Sequence, residues 1–194
     1  MGTLPFYHHQ EIELDRSIGL LEFNSIAKGL ESTDAMIKTS EVQLLMAKTI
    51  CSGKFLTIVA GAVQPVEDSV GRGLDIAKTA CIDHIVIPNL HDDVIPAFTA
   101  TTGASLGEAL GIIETYTVAS CVMAADIAAK SGDVHLLEIR PAVGLGGKSF
   151  VTLTGDVASV ESAVELGAEY PKSNGVLLQK VVIPHPYRKI GEIV

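Results

Sequence analysis

Short apolar runs alternate with segments of helical periodicity along the chain. The first strand-length run is SIGLLEF, and it is followed by SIAKGLESTDAMIKTS, whose apolar and small residues recur at helical intervals. Two more apolar runs, EVQLLMAK and KFLTIVAG, are joined by TICSG, where Ser52 and Gly53 favour a tight turn. The next segment places Val63 and Val70 on one helical face, and the β-rich run IDHIVIP ends at Pro88. The pattern predicts the element order βαββαβ.

The same pattern occurs twice, because the chain contains an internal repeat. Identical residues at gapless matching positions include Gly19 and Gly111, Glu22 and Glu114, Asp34 and Asp126, and Lys38 and Lys130. The pattern in each copy predicts two helices packed on one face of a four-stranded antiparallel sheet. The chain is therefore expected to be an α+β protein, an α/β sandwich with two tandem ferredoxin-like domains.

The repeat also suggests where the domains begin and end. We place an N-terminal extension at residues 1–16, a first domain with its linker at 17–103 and a second domain at 104–194. The linker is the segment 97–107, which is rich in Thr, Ala, Ser and Gly.

Charge and composition narrow the class of protein. A net charge of -9 argues against a nucleic-acid partner, which requires a basic surface. No apolar run approaches the roughly 18 to 20 residues of a membrane span, and the start MGTLPFYHHQEIELDR lacks the pattern of a signal peptide. Cys51, Cys81 and Cys121 form no CxxC spacing, which favours reduced thiols. We therefore expect a cytoplasmic protein with no membrane partner.

No catalytic constellation is visible in the sequence. The six histidines show no metal-binding spacing apart from the adjacent His8 and His9, which fit a surface or tag segment. GLGGKS, which begins at Gly144, is too short for a phosphate-binding loop, and a strand-like run follows it where a helix would be needed. We interpret it as a glycine-rich hairpin turn and do not expect an enzyme.

Two lysines recur in the repeat, each four residues after an aspartate. Lys38 follows Asp34, and Lys130 follows Asp126. Each pair is spaced for an ion pair on one helical face. Alternatively, the lysines lie at an assembly edge, where a long stem covers apolar surface and the amine contacts a neighbour.

Several segments together resemble the shell domain of bacterial microcompartments. They are SIGLLEFNSIAKGLESTDAMIKTSEVQLL, KTICSGKFLTIVAGAV and DHIVIP in the first copy, and ALGIIETYTVASCVMAADIAAKSGDVHLL, GLGGKSFVTLTGDVASVESAV and VVIPHP in the second. The likeness extends from Ser17 to about Tyr187 and is closest to the tandem-domain type of propanediol-utilisation compartments. It implies a structural, non-enzymatic homotrimer with a pseudo-sixfold outline that contacts other shell proteins at its edges. A hydrophobic fraction of 47% fits such buried subunit faces.

The resemblance implies that the hairpin loops line a central pore for small metabolites. The implied pore-lining residues are Cys51, Ser52 and Gly53 in the first copy and Gly146, Gly147, Lys148 and Ser149 in the second. The implied tile-edge residues are Lys38 and Lys130. The family's edge arginine is not matched, because Asn89 and His185 follow the two VIP runs.

The resemblance also points to an iron–sulfur cluster, which related chains hold through a cysteine that follows GGK. Ser149 stands there in this chain, and a hydroxyl is a poor ligand for cluster iron. We therefore expect no cofactor at that loop, and Cys51 is the remaining candidate ligand. Two other functions stay open: an iron–sulfur electron-transfer shell protein, and a ferredoxin-like regulatory module that binds a small ligand.

Overall fold

The computed structural model describes residues 16–192. The first copy consists of β1 (Ser17–Phe23), α1 (Ile26–Thr39), β2 (Gln43–Ile50), β3 (Lys54–Gly61), α2 (Val63–Ala77) and β4 (Cys81–Ile87). A short helix, α3 (Val94–Phe98), follows it. The second copy consists of β5 (Ala109–Thr115), α4 (Val118–Ser131), β6 (Val134–Arg140), β7 (Ser149–Gly155), α5 (Val157–Ser173) and β8 (Leu177–Pro184). The predicted order βαββαβ is confirmed in both copies.

Each copy forms its own four-stranded sheet. The strand orders are β2-β3-β1-β4 and β6-β7-β5-β8, and all neighbours are antiparallel. This is the ferredoxin-like topology that the repeat predicts. The two sheets also share their register, since Ser17 pairs with Gly61 as Ala109 pairs with Gly155. Residues in the two copies can therefore be matched one to one.

One face of the first sheet packs on its own helices. β1 alternates, so Leu21 and Phe23 point to the helices and join Met36 of α1 and Val66 of α2 in one core. Gly19 lies on the same face, where an added Cβ would come within 2.4 Å of Val70. The glycine is needed because α2 approaches the strand closely at this point.

The other face of the first sheet packs on the second copy. Ile18, Leu20 and Ile85 belong to the same buried cluster as Val118 and Val122 of α4. The helix α4 is consequently buried on almost every side. Ten of its residues are buried, whereas four residues of α1 are buried. We call this contact, between the outer face of the first sheet and α4, the internal joint.

Three expectations about the borders of elements need comment. The linker does not begin at Ala97, because α3 extends to Phe98 and Ala97 is buried against the second copy. Val63 begins α2 but is exposed, so the buried face of that helix starts at Val66. The extension 1–16, with His8 and His9, lies outside the described residues except for Arg16, and the domain boundaries stay a prediction.

Within residues 16–192, no helix has both the length and the apolar character needed to cross a membrane.

Candidate functional site

The two hairpin loops lie side by side. In the first copy the loop is a tight turn, Cys51–Gly53, in which Ser52 and Gly53 have positive φ. In the second copy the loop is the longer segment 141–148. The backbone N–H of Cys51 donates to the carbonyl of Ala142 at 2.8 Å, and the amine of Lys54 donates to the carbonyl of Gly147 at 3.2 Å. The structure therefore brings both predicted loops together.

The predicted loop residues differ in their exposure. Ser52, Gly53 and Gly146 are exposed, and the side chain of Lys148 is half-exposed. Gly147 is buried, because the Oγ of Ser52 lies 3.3 Å from the place where its Cβ would be. A role for these residues in lining a pore stays a prediction.

Ser149 requires a correction. It is the first residue of β7 and is completely buried, and its hydroxyl donates to the carbonyl of Arg140 at 2.7 Å. By register its counterpart in the first copy is Phe55, a core residue. Neither serine nor cysteine at position 149 would face an opening from this strand. The identity of residue 149 is therefore no argument for or against a cluster at the loops.

Cys51 is the thiol that lies at the loops. Its Sγ accepts a hydrogen bond from the backbone N–H of Gly144 at 2.7 Å. This N–H lowers the pKa of Cys51, with a further contribution from the N–H of Leu145. Burial instead raises the pKa of Cys81 to about 11 and that of Cys121 to about 12. Because the thiolate is the reactive form, the three cysteines should differ in reactivity.

We expect iodoacetamide to modify one thiol per chain rapidly at neutral pH. That thiol is Cys51, because a lowered pKa gives it the largest thiolate fraction. Intact mass spectrometry against time measures the reaction, and Cys51→Ser serves as the control that abolishes the fast phase. Rapid labelling that persists in Cys51→Ser would contradict the assignment.

A buried ion pair stands where the loops meet the internal joint. The amine of Lys54 lies 2.8 Å from Oε1 of Glu22, whose side chain is 0% exposed. The other oxygen of Glu22 accepts from the backbone N–H of Val118 at 2.6 Å, and Lys54 also donates to the carbonyl of Tyr116 at 3.2 Å. Two charged groups of the first copy thus hold the start of α4 in the second.

The electrostatics of this pair follow from its burial. Desolvation raises the pKa of Glu22, and the hydrogen bond and charge of Lys54 oppose that rise. In the sequence Glu22 stands out only as a repeated polar residue. The available signal was its place inside the apolar run SIGLLEF, where a charged side chain needs a partner.

A second carboxylate completes the end of α4. Asp83 of β4 accepts hydrogen bonds from the hydroxyl of Thr117, and from the backbone N–H and the hydroxyl of Ser120 at 3.1 and 2.7 Å. Thr117 makes no capping bond with its own side chain. The first turn of a helix has free N–H groups and a partial positive charge, so Glu22 and Asp83 act as caps supplied by the other domain.

The two repeated lysines lie in different surroundings. The amine of Lys38 is 2.7 Å from Asp34 on an exposed surface, and that of Lys130 is 2.6 Å from Asp126, which is buried. Lys130 also donates to the carbonyl of Asn89 in the first copy. Both predicted ion pairs are therefore present, and Lys130 in addition bridges the internal joint. A role for either lysine at a tile edge stays a prediction.

The donors present limit what one chain holds by itself. Among residues 16–192 there is no group of three His, Cys, Asp or Glu side chains placed to bind a metal ion, and the three cysteines are free thiols.

Comparison with known proteins gives a consistent result. The family model described as BMC domain matches residues 17–90 and 109–186. The chain is 40% identical to the bacterial microcompartment shell protein PduT of Citrobacter freundii, over 91% of this chain and 96% of that protein. It is 50% identical to a microcompartment protein of Desulfitobacterium hafniense of known structure, with a TM-score of 0.81, over 91% and 98% of the two chains. A fused permuted hexameric shell protein of the RMM microcompartment shares the fold, with a TM-score of 0.62 at 17% identity over 80% and 81%.

Proposed function

The chain belongs to the BMC domain family, and on that premise we propose that it is a structural shell subunit of a bacterial microcompartment. The likeness to PduT and to the Desulfitobacterium protein covers nearly the whole chain, so it includes both copies and both loops. In this role the protein is non-enzymatic, resides in the cytoplasm as part of the shell, and binds neither nucleic acid nor membrane. Its partners are further copies of itself and other shell proteins.

The observation that carries this proposal is the tandem arrangement itself. The internal joint joins unlike surfaces, the outer face of one sheet and a helix of the next domain. A joint between unlike surfaces that is repeated closes a ring when the rotation permits it. We infer three chains in the ring, which gives six domains and a pseudo-sixfold outline. The paired hairpin loops then surround its centre.

The loops define the character of the proposed pore. Ser52, Gly53 and Gly146 expose backbone and a hydroxyl. A narrow opening with such an uncharged polar lining favours small polar metabolites. Exchanging Ser52 for an aspartate, a residue type tolerated at positive φ, is expected to favour cations over anions, and flux through a reconstituted shell measures this change.

Electron microscopy of the purified protein tests the shell proposal. At high concentration the protein should form sheets or facets of rings with a central opening. Single rings that never associate, alone or with other shell proteins, would contradict a shell role.

A second function, electron transfer through an iron–sulfur cluster, is favoured by one observation. Cys51 is at the loop with a lowered pKa, and thiolate is the ligand that such clusters use. Three chains around one axis would supply three thiolates, and the prediction of a cofactor-free pore no longer rests on Ser149. The regulatory-module hypothesis has no comparable support, since the relatives are shell proteins.

Anaerobic reconstitution with iron and sulfide separates the cofactor-free pore from the cluster. We expect that any bound cluster depends on Cys51, so that Cys51→Ser contains no iron and Cys81→Ser is unchanged. Iron analysis and visible absorption are the readouts. Colourless, iron-free wild-type protein after reconstitution would exclude the second function.

A further inference from the structure

The pair Glu22–Lys54 has a counterpart in the second copy that lacks its surroundings. The register places Glu114 at the position of Glu22 and Ser149 at the position of Phe55, so Lys148, which precedes Ser149, is the counterpart of Lys54, which precedes Phe55. Their side chains approach to 3.3 Å, with 34% of Glu114 and 44% of Lys148 exposed. Among the described residues neither side chain has another hydrogen-bond partner. The second copy therefore carries the same charged pair without the helix end that the first pair holds.

The corresponding helix end is present in the first copy, at the start of α1. The groups that Glu22 and Lys54 bind are Val118 N–H and the carbonyls of Tyr116 and Gly147. Their counterparts in the first copy are Ile26 N–H and the carbonyls of Asn24 and Gly53. The backbone of Asn24 supports this match. Its N–H donates to the carbonyl of Ala80, just as the N–H of Tyr116 donates to the carbonyl of Val176. Ile26 N–H belongs to the first turn of α1 and has no partner within that helix.

The apolar residues around these groups are open on both sides. On α1, Ile26 and Leu30 are 41% and 55% exposed, whereas their counterparts Val118 and Val122 are buried. On the second sheet, Val181 is 40% exposed, whereas its counterpart Ile85 is 3% exposed. Each half of the internal joint is thus present a second time and uncovered. The uncovered surface of α1 and the uncovered face of the second sheet therefore match the two partners of the internal joint.

We propose that the ring is closed by a charged latch between chains, an inference that rests on the proposed shell function. In this latch Glu114 of one chain accepts a hydrogen bond from Ile26 N–H of the next chain. Lys148 donates to the carbonyls of Asn24 and Gly53 of that next chain. The partial positive charge at the start of α1 favours the carboxylate of Glu114. The partner surface is the first domain of a second copy of this protein.

A methionine at position 148 tests the latch. Lys148→Met keeps the length of the side chain but leaves Glu114 without its cation in the closed interface. Removing one member of a buried ion pair is strongly unfavourable, so the dissociation constant of the ring should rise by about 100-fold or more. Lys180→Met is the matched control, since Lys180 pairs with Glu165 on the helix side of the same sheet. Sedimentation velocity over a concentration series measures both.

Further variants separate the latch from a general loss of structure. Glu114→Gln/Lys148→Met removes both charges and should restore most of the affinity lost in Lys148→Met. Ile26→Ala keeps the N–H and accounts for the loss of the apolar side chain. Compared with it, Ile26→Pro removes the proposed donor, because proline is tolerated in the first position of a helix but has no N–H. It should weaken the ring while the dissociated chain keeps the wild-type circular dichroism.

The outcomes divide clearly. Assembly that is unchanged in Lys148→Met and in Ile26→Pro overturns the latch but leaves the shell function standing. Equal losses in Lys148→Met and Lys180→Met also overturn it, because the effect would then be unspecific. Wild-type protein that stays monomeric overturns the latch and the proposed function together.

Discussion

Lys54→Met should lower the free energy of unfolding by roughly 3 to 5 kcal/mol. The substitution leaves Glu22, which is 0% exposed, as a buried carboxylate without a cation. It also removes the donor to the carbonyls of Tyr116 and Gly147, so both loops and the start of α4 lose a contact. Urea denaturation followed by circular dichroism measures the loss.

The loss in Lys54→Met should depend on pH in a defined direction. Burial already raises the pKa of Glu22, and Lys54 opposes that rise, so the variant should raise it further. A carboxyl whose pKa is raised in the folded state contributes stability at low pH that disappears as the pH increases through that folded-state value. The destabilisation should therefore be smaller at about pH 5 than at about pH 8.

Lys28→Met is the matched control for this prediction. Lys28 pairs with Glu31 at 2.7 Å on an exposed surface, and such pairs contribute roughly 0 to 1 kcal/mol. If Lys54→Met unfolds with a free energy within that range of the wild type at both pH values, the buried pair does not hold the joint.

Phe55→Ser should lower the free energy of unfolding by roughly 3 to 5 kcal/mol. Adding Gly29→Cys to the same chain should restore about half of that loss. Phe55 fills the space above Gly29, where an added Cβ would lie 2.5 Å from its ring. The second copy solves the same packing in another way. There Cys121 stands for Gly29 and Ser149 for Phe55, both are buried, and the Ser149 hydroxyl partly opposes the rise that burial causes in the pKa of Cys121.

A double-mutant cycle tests this exchange. Gly29→Cys alone should cost about 1 to 3 kcal/mol, because the added side chain meets the ring of Phe55. The double variant rebuilds the arrangement of the second copy, so its loss should be smaller than that of Phe55→Ser alone. Additive losses would show that the two positions do not share one space.

The order of elements could be predicted from the sequence because each element carries its own period. Strand-length apolar runs and helical spacing occur twice in the same order, and a repeat leaves little freedom in topology. The exceptions have local causes. The five-residue helix α3 is too short to show a period, and it contains Pro96; its burial comes from packing on the second copy. Val63 has the spacing of the buried face but lies at the first turn of α2.

The candidate site was only partly visible in the sequence. The glycines and the turn residues Ser52 and Gly53 mark the loops, because positive φ restricts the residue type there. The side on which Ser149 lies depends on where the strand begins, and a shift of one residue exchanges core and surface. The contacts of Glu22 with Val118 and of Lys54 with Tyr116 connect positions far apart in the chain, so no local pattern reveals them.

The mass of the purified protein in solution tests the central claim most directly. Sedimentation equilibrium at micromolar concentration should give three times the mass of one chain, as expected for a ring of six domains. A mass equal to one chain, unchanged as the concentration is raised, would contradict the ring and with it the proposed shell subunit.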